Sequence, residues 1–441
     1  MFFAGVYEGW YSTSDETFVP ESNVLQEVDK RTGEKIHLCK DTLNRLEWTK
    51  ENNYMFRLSD LTDRVRQWIS DNPKVVYPDK FRKLVLESLK EPYTDLSVSR
   101  ESFRVPWGIS VPGDPGQTIY VWLDALVNYL AAAGYPDTNS AKFRDMWPAD
   151  IHFVGMDIIK FHAVYWPAFL IAAGLELPKQ IVVHSHWTYE HMKMSKSKGN
   201  IVDPFEMAGK VSAEGLKYFL LRQSTLDNNS SYSELLLYRA LNSDLANDLG
   251  NLLNRGVAKT LNPSQKYPAF HKDIFHQKSN TVANDDYSMV QMYIEQVRNL
   301  PSTVDALVEK FRFYQAIFEI MEMVRRSNFI IHHYELWLLD KDNAEQLLVL
   351  ETLLHCVYEG LRVSAILLQP MIPTLADTVL SKLGVPSTSR RWSDAEASFK
   401  VLDGLSDPLV GQPLGTRKTL LFKKLKIPDR LLQEEQSILA T

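Results

Sequence analysis

The sequence predicts an α/β fold joined to an all-α fold. A partial Rossmann-type parallel sheet carries an N-terminal α+β insertion and is followed by a C-terminal helical bundle. Three observations predict this. Strand-like and helix-like segments alternate between about residues 106 and 205, the pattern of a parallel, doubly wound sheet. Beyond residue 236, leucines and other apolar residues recur at helical spacing, as bundles require. Towards the end of the first of these stretches lies Lys193-Met194-Ser195-Lys196-Ser197, running on into Lys198-Gly199-Asn200.

Residues 1–105 read as an irregular insertion in which aromatic and turn residues alternate. Within it, Leu61 to Asp71 forms a helix with Leu61, Val65, Trp68 and Ile69 on one stripe, and Asn72-Pro73 ends it. In residues 106–205, Thr118 to Trp122 reads as a strand and Asp124 to Ala133 as a helix closed by Gly134. Asp150 to Val154 follows as a strand, Asp157 to Ala173 as a helix closed by Gly174, and Gln180 to His184 as a buried strand. These make about half of a complete nucleotide-binding sheet, which needs a further βαβ half. Residues 206–235 form a connecting segment, with a helix from Ala213 to Arg222 and a polar loop from Asp227 to Ser231. Residues 236–441 form the bundle. Its apolar stripes are Leu241, Leu245, Leu249 and Leu252, then Phe313, Ile317, Ile320 and Val324, then Leu347, Leu350, Leu353, Leu354 and Val357. The polar, proline-containing stretch 262–284 reads as an exposed loop.

Composition narrows the class. The 441 residues suffice for two or three domains. No apolar run approaches the roughly 18 residues of a membrane span. The net charge of −6 argues against a non-specific nucleic-acid binder, although a local basic groove suffices for a specific one. Arg417, Lys418, Lys423, Lys424 and Lys426 make the C-terminal end locally basic, which reads first as a solvated face. Cys39 and Cys356 are far apart, which suggests a reducing compartment without a disulfide framework. Met1 to Gly5 has neither the basic start and apolar core of a signal peptide nor the arginine of a transit peptide.

The lysine-bearing loop suits a polyphosphate. Each lysine is a point charge on a flexible stem, and glycine lets the backbone approach an anion closely. The loop follows a buried strand, and open α/β sheets bind ligands beyond the carboxyl ends of their strands. Lys-Met-Ser-Lys-Ser resembles the second signature of the class I aminoacyl-tRNA synthetases. The segments Tyr120 to Ala125, His152 to His162 and Tyr165-Trp166-Pro167 narrow the resemblance to methionyl-tRNA synthetase of the mitochondrial and bacterial type. It extends from about Gly5 to the end. The family's first signature, His-Ile-Gly-His or a variant, does not occur in these residues. The expectation is therefore that the chain alone forms no adenylate.

The resemblance implies a residue-level division of labour. Lys193 and Lys196 would face the pyrophosphate, with Ser195 and Ser197 shaping the loop and donating hydrogen bonds. Gly155 and Asp157 would approach the ribose of ATP, whose Mg²⁺ would be held by phosphate oxygens. The family usually has Lys where Met156 stands. The methionine pocket would be Trp122, Tyr129, Ile158, Phe161, His162 and Trp166, aromatic surfaces suited to a thioether. Without the resemblance this stripe reads as core, and His162 as either a polar handle or a satisfied core histidine. Asn247, Asn251 and Arg255, four apart on one helical ridge, would read the anticodon bases. Trp337 would stack on one of them, with Leu336 where the family often has Pro. Read alone, the asparagine ridge is equally a solvated polar face. Many relatives hold zinc in a Cys-x-x-Cys knuckle. Ser12 and Asp15 stand at the matching spacing, so the expectation is no metal and no structural zinc.

The function implied is ATP-dependent activation of methionine and its transfer to tRNA(Met), by a monomer without membrane contact. The compartment expected is the mitochondrial matrix, the cytoplasm being the alternative. A non-catalytic tRNA-binding or regulatory product is a second hypothesis. Another class I synthetase, for leucine, valine or cysteine, is disfavoured by the aromatic set and the compact insertion.

Overall fold

The computed structural model describes residues 1–439 other than 15–16, 20, 29–32, 41, 92, 190–191, 195–199, 276–286 and 417–419. The chain forms two compact units, Met1–His186 and Trp187–Thr441. The break after His186 falls inside the predicted span 106–205.

The first unit opens with a regular antiparallel sheet, not an irregular insertion. The strands β1 (Phe2–Ser12), β2 (Thr17–Val19), β3 (Val24–Val28), β4 (Lys35–Cys39) and β5 (Arg45–Phe56) lie in the order β2-β1-β5-β4-β3. β1 and β5 pair from Phe2↔Phe56 to Tyr11↔Glu47. Exposed and half-buried residues alternate along β1, the period of a half-covered strand. Glycines at 5 and 9 dilute that alternation in the sequence. At the β2–β3–β4 end, Val19, Cys39 and Leu46 form a small core with Trp10 packed on it, and Trp10 stacks on His37 with centroids 3.9 Å apart. Ser12 is buried there, and Asp15 lies outside the described residues. Among the described residues no cluster of three His, Cys, Asp or Glu side chains is placed to hold a metal ion.

The helix α1 (Thr62–Asp71) buries Val65 and Ile69, with Leu61 just before it. It leads into β6 (Val76–Tyr77) and α2 (Asp79–Ser88). β6 is the third strand of the parallel sheet, placed by the sequence pattern inside the insertion. At two residues it is too short to show a pattern. The short strands β7 (Leu96–Ser97), β8 (Ser99–Glu101), β9 (Ser110–Val111) and β10 (Asp114–Ile119) follow. The predicted strand near Thr118 is thus β10, but it pairs antiparallel with β8 and β9. The helix α3 (Val121–Ala133) begins before Trp122, so Trp122 is helical. α4 (Ala141–Met146) precedes β11 (His152–Gly155). A continuous helical stretch then runs through Met156–Ile158, Phe161–Tyr165 and α5 (Trp166–Ala173) to β12 (Ile181–His184). Gly134 and Gly174 close α3 and α5 in the left-handed region, φ 104° and 68°, as the sequence predicts. The parallel order is β11-β12-β6. Ile181, Val182 and Val183 of the central strand are fully buried, which explains their unbroken apolar run.

In the second unit, β13 (Trp187–Tyr189) pairs antiparallel with β14 (Met192–Lys193) and parallel with β15 (Ser230–Tyr232). The predicted loop 227–231 therefore ends in a strand. α6 (Pro204–Val211) is capped by Asp203 and α7 (Ala213–Gln223) by Ser212. One long helical stretch comprises α8 (Glu234–Ala240), a widened segment Leu241–Gly250 and α9 (Asn251–Gly256). The bundle continues through α10 (Ser288–Val308), α11 (Phe313–His333), α12 (Ala344–Leu368), α13 (Pro373–Lys382) and α14 (Trp392–Glu396). It ends in α15 (Asp429–Leu439). Every residue of α12 from Thr352 to Leu368 is buried. Among the described residues no helix is long and apolar enough to cross a membrane.

The stretch 262–275 is not the exposed loop its polarity suggests. Tyr267, Phe270 and Ile274 are buried, and residues 276–284 of the predicted loop lie outside the described residues. Tyr267 is held by a charge inside the bundle: its hydroxyl donates to Glu359 Oε1 at 2.7 Å. Arg362 donates to both oxygens of the same carboxylate, at 2.6 and 2.8 Å, and the Phe399 amide donates at 3.1 Å. Burial pushes the Glu359 carboxyl up, but Arg362 and these donors prevail and hold it down at about 2.

A carboxyl whose folded pKa lies below its ordinary 4.5 stabilises the fold fully above that pH and loses the contribution as pH falls towards 2. Glu359→Ala removes the partner of a buried guanidinium and is expected to cost about 3–5 kcal/mol, measured by denaturant unfolding at neutral pH. A loss under 1 kcal/mol would mean that the pair behaves as an exposed one.

Candidate functional site

The carboxyl ends of β11 and β12 carry the first site. Gly155 faces His184 at the last position of the parallel register. Asp157 lies in the turn after it, half-exposed, with its carboxylate 3.0 Å from Nε2 of His186. His186 was not among the residues singled out by motif.

Trp122 and Tyr129 are seven apart, two turns along α3, and face the helical stretch that follows β11. Trp122 lies 6.0 Å from Phe161 and 5.7 Å from both Tyr165 and Phe169, centroid to centroid. Tyr129 lies 5.7 Å from His162, 6.2 Å from Trp166 and 4.5 Å from His152. Five of the six predicted pocket residues thus form one aromatic wall. Ile158 stands a turn earlier with its side chain exposed. Trp166 is 1% exposed, so it backs the wall and offers no surface to a ligand.

His162 is buried and doubly satisfied. Its Nδ1 lies 2.9 Å from the Ile158 carbonyl, which can only accept. Nδ1 therefore carries the proton, and Nε2 accepts from the Tyr129 hydroxyl at 2.8 Å. Of the two sequence readings, the satisfied core histidine holds: the group turned towards the rim is Tyr129, and His162 orients it. Burial pushes the His162 imidazole down, against its backbone bond. Burial and the neighbouring His162 push His152 down to about 4. Both rings are uncharged at neutral pH, which keeps the wall apolar.

The lysine-bearing loop is described only in part. Lys193 ends β14 opposite Thr188, and Met194 is packed on the core of the second unit. Ser195, Lys196 and Ser197 lie outside the described residues, as do Arg417 and Lys418 of the basic C-terminal stretch.

The second site lies in the helical unit. Asn247 and Asn251 are exposed and Arg255 is half-buried. They line one open cavity of about 340 Å³ together with Asn328 and His332 of α11. Arg255 Nη1 lies 2.9 Å from His332 Nε2. Asn328 donates to the Asp248 carbonyl at 3.0 Å, and Arg325 lies 3.4 Å from the Asp248 carboxylate. Burial raises the Asp248 carboxyl, opposed by Arg325. Leu336 is buried, and next to it Trp337 is 45% exposed, its ring 5.7 Å from His332. A buried leucine thus pins the turn that presents Trp337. The contribution of α11 was missed, although Arg325, Asn328 and His332 recur at three and four residues, a helical ridge legible in the sequence.

His152 provides a test of the neutral aromatic wall. Its pKa is lowered from 6.5 to about 4, so folding stability is complete above pH 6.5 and falls as pH drops to 4. His152→Gln is expected to flatten the unfolding free energy between these values, removing a slope worth roughly 3 kcal/mol at most. An unchanged slope in equilibrium unfolding would refute the assignment.

Residues 1–257 match the family model "tRNA synthetases class I (M)". The chain is 42% identical over 427 residues to the mitochondrial methionine–tRNA ligase of Homo sapiens, covering 96% of this chain and 71% of that one. It is 38% identical over 390 residues to the methionine–tRNA ligase of Caldanaerobacter subterraneus, covering 88% and 57%. The crystal structure of Mycobacterium tuberculosis methionyl-tRNA synthetase bound by methionyl-adenylate superposes with a TM-score of 0.83 at 33% identity, over 96% of this chain and 77% of that one. With a parallel sheet flanked by an aromatic wall, and a helical unit behind it in sequence, the chain belongs to the class I methionyl-tRNA synthetases.

Proposed function

We propose that the two units divide the reaction of the family, ATP-dependent joining of methionine to tRNA. In that reaction the methionine carboxylate attacks the α-phosphorus of ATP and the bond to pyrophosphate breaks. The 3′-terminal ribose hydroxyl of tRNA(Met) then takes the methionyl group, and AMP leaves. The observation that carries this reading is the aromatic wall packed beside β11, closed by the Tyr129–His162 bond. It has the dry, polarisable surface that a thioether side chain favours, with a single hydroxyl at its rim. Trp122, Tyr129 and Phe161 would take the methionine side chain, with Ile158 at the entrance. Gly155 and Asp157 would take the ribose.

Lys193 and Lys196 would neutralise the charge developing on pyrophosphate, and Ser195 and Ser197 would donate hydrogen bonds to it. Mg²⁺ would arrive with ATP, held by phosphate oxygens. The open face of Asn247, Asn251 and Arg255 would read the edges of splayed anticodon bases, and Trp337, exposed and pinned by Leu336, would stack on one of them. The relatives named as mitochondrial support a site of action in the mitochondrial matrix. The enzyme would act as a monomer.

Asn251→Ala and Trp337→Ala are each expected to weaken binding of an anticodon stem-loop bearing CAU by roughly 1–3 kcal/mol, about 5- to 150-fold in Kd. Binding unchanged in both variants would refute the assignment of the helical face. Methionine-dependent ATP–pyrophosphate exchange measures the first step. The 441 residues contain no His-x-Gly-His word, and the group that word supplies opposite the lysines is worth roughly 10²–10³ in rate. The expectation is no detectable exchange by these residues alone, and methionine-dependent turnover would overturn it.

A further inference from the structure

We propose that His332 is a positioning residue of the RNA-binding face, holding Arg255 and Trp337 in place only while its imidazole is uncharged. This rests on the anticodon reading of the same face. Arg255 Nη1 lies 2.9 Å from His332 Nε2. A guanidinium has only protons to offer and keeps them in proteins, so Arg255 donates and Nε2 accepts. The imidazole is therefore the neutral form with its proton on Nδ1. On its other side the same ring meets Trp337 at 77°, centroids 5.7 Å apart. One side chain thus bridges the helix carrying Asn247, Asn251 and Arg255 to the turn that presents Trp337.

A second proton would enter at Nε2 and occupy the lone pair that Arg255 uses. The hydrogen bond is then lost, and two cations stand at hydrogen-bond distance. The charged groups around the ring are Arg255 from α9, Asp248 from the widened segment before it, and Arg325 on α11 itself. His333 and Glu335 flank it along the chain. Arg325 already engages the Asp248 carboxylate at 3.4 Å and that of Glu322 at 2.7 Å. Repulsion is relieved when Arg255 swings away from the ring. Histidine is the side chain that changes charge between about pH 5 and 8, so the face becomes a pH-sensitive reader of RNA.

The test uses the full 441-residue chain and fluorescence anisotropy with two stem-loop RNAs, one bearing CAU and one with a substituted anticodon, at about pH 8 and about pH 5.5. The wild-type chain is expected to bind the CAU RNA about tenfold more weakly at the lower pH. His332→Ala should bind weakly at both. His332→Gln, whose amide oxygen still accepts from Arg255 but does not titrate, should rescue binding at pH 8 and remove most of the pH dependence. Asp248→Asn should keep the wild-type pH dependence, which separates His332 from the other titratable group of the cavity. Thermal melting at both pH values establishes that each variant is folded. The proposal is overturned if wild type shows no drop, or if His332→Gln drops as wild type does. If wild type at pH 8 binds both RNAs equally, the anticodon reading fails and His332 falls with it. Anticodon preference without the His332 effect overturns the His332 role alone.

Discussion

In each unit one helical stretch that carries proposed functional side chains contains a segment wound one residue wider than an α-helix, Phe161–Tyr165 in the first and Leu241–Gly250 in the second. In the first, the Trp166 amide donates to the Phe161 carbonyl, five residues back. In the second, the Asn251 amide donates to the Ala246 carbonyl, also five back. Such widened turns are rare and concentrate at functional sites. Both have a local cause. Pro167 follows Trp166, and a proline ring within a helix has no amide proton and collides with the carbonyl four residues back, which a wider turn relieves. A Cβ at Gly250 would stand 3.0 Å from the Leu245 carbonyl oxygen, a tight contact that glycine avoids. The consequence is positional: His162 faces Tyr129, and Asn247 shares a cavity with Asn251 and Arg255.

The aromatic wall and the core of the bundle treat their buried ionisable groups in opposite ways. The first buries His152 and His162 as neutral rings, held there by desolvation. That keeps both imidazoles of the aromatic wall uncharged at neutral pH. The second buries the full Glu359–Arg362 pair, 1% and 3% exposed. A buried pair is tolerated only when its remaining hydrogen-bonding capacity is filled. Tyr267, Phe399 and the Asp394 carbonyl fill it. That network draws 262–275 and the segment around Phe399 onto α12 and sets the packing of the bundle.

The polar face proposed to meet RNA belongs to neither of its helices alone. The α8–α9 stretch contributes asparagines and Arg255, and α11 contributes Arg325, Asn328 and His332. The contact between Asn328 and the Asp248 carbonyl fixes their register. The leucines at 241, 245, 249 and 252 are fully buried on the opposite side, which holds the polar ridge outward. Burial of the apolar stripe and exposure of the polar one are the same event.

The sequence by itself determined the elements whose signals are local. The parallel strand Ile181–His184, the helix ends at Gly134 and Gly174, the apolar stripes of the bundle and the aromatic set around the sheet edge were all legible. Each follows from periodicity, backbone freedom or side-chain chemistry within a few residues. Tertiary structure decided what depends on partners distant in sequence. β10 pairs antiparallel because β8 and β9 lie beside it. Val76–Tyr77 joins the parallel sheet only because Ile181 and Val182 offer an edge. Within the polar stretch 262–275, Tyr267 is buried where its hydroxyl reaches Glu359, some ninety residues away. Trp166 backs the wall rather than lining it, since its neighbours close over it. A residue's neighbours along the chain fix its conformational preference, but only neighbours in space fix whether its polar atoms are paired and its surface is wet.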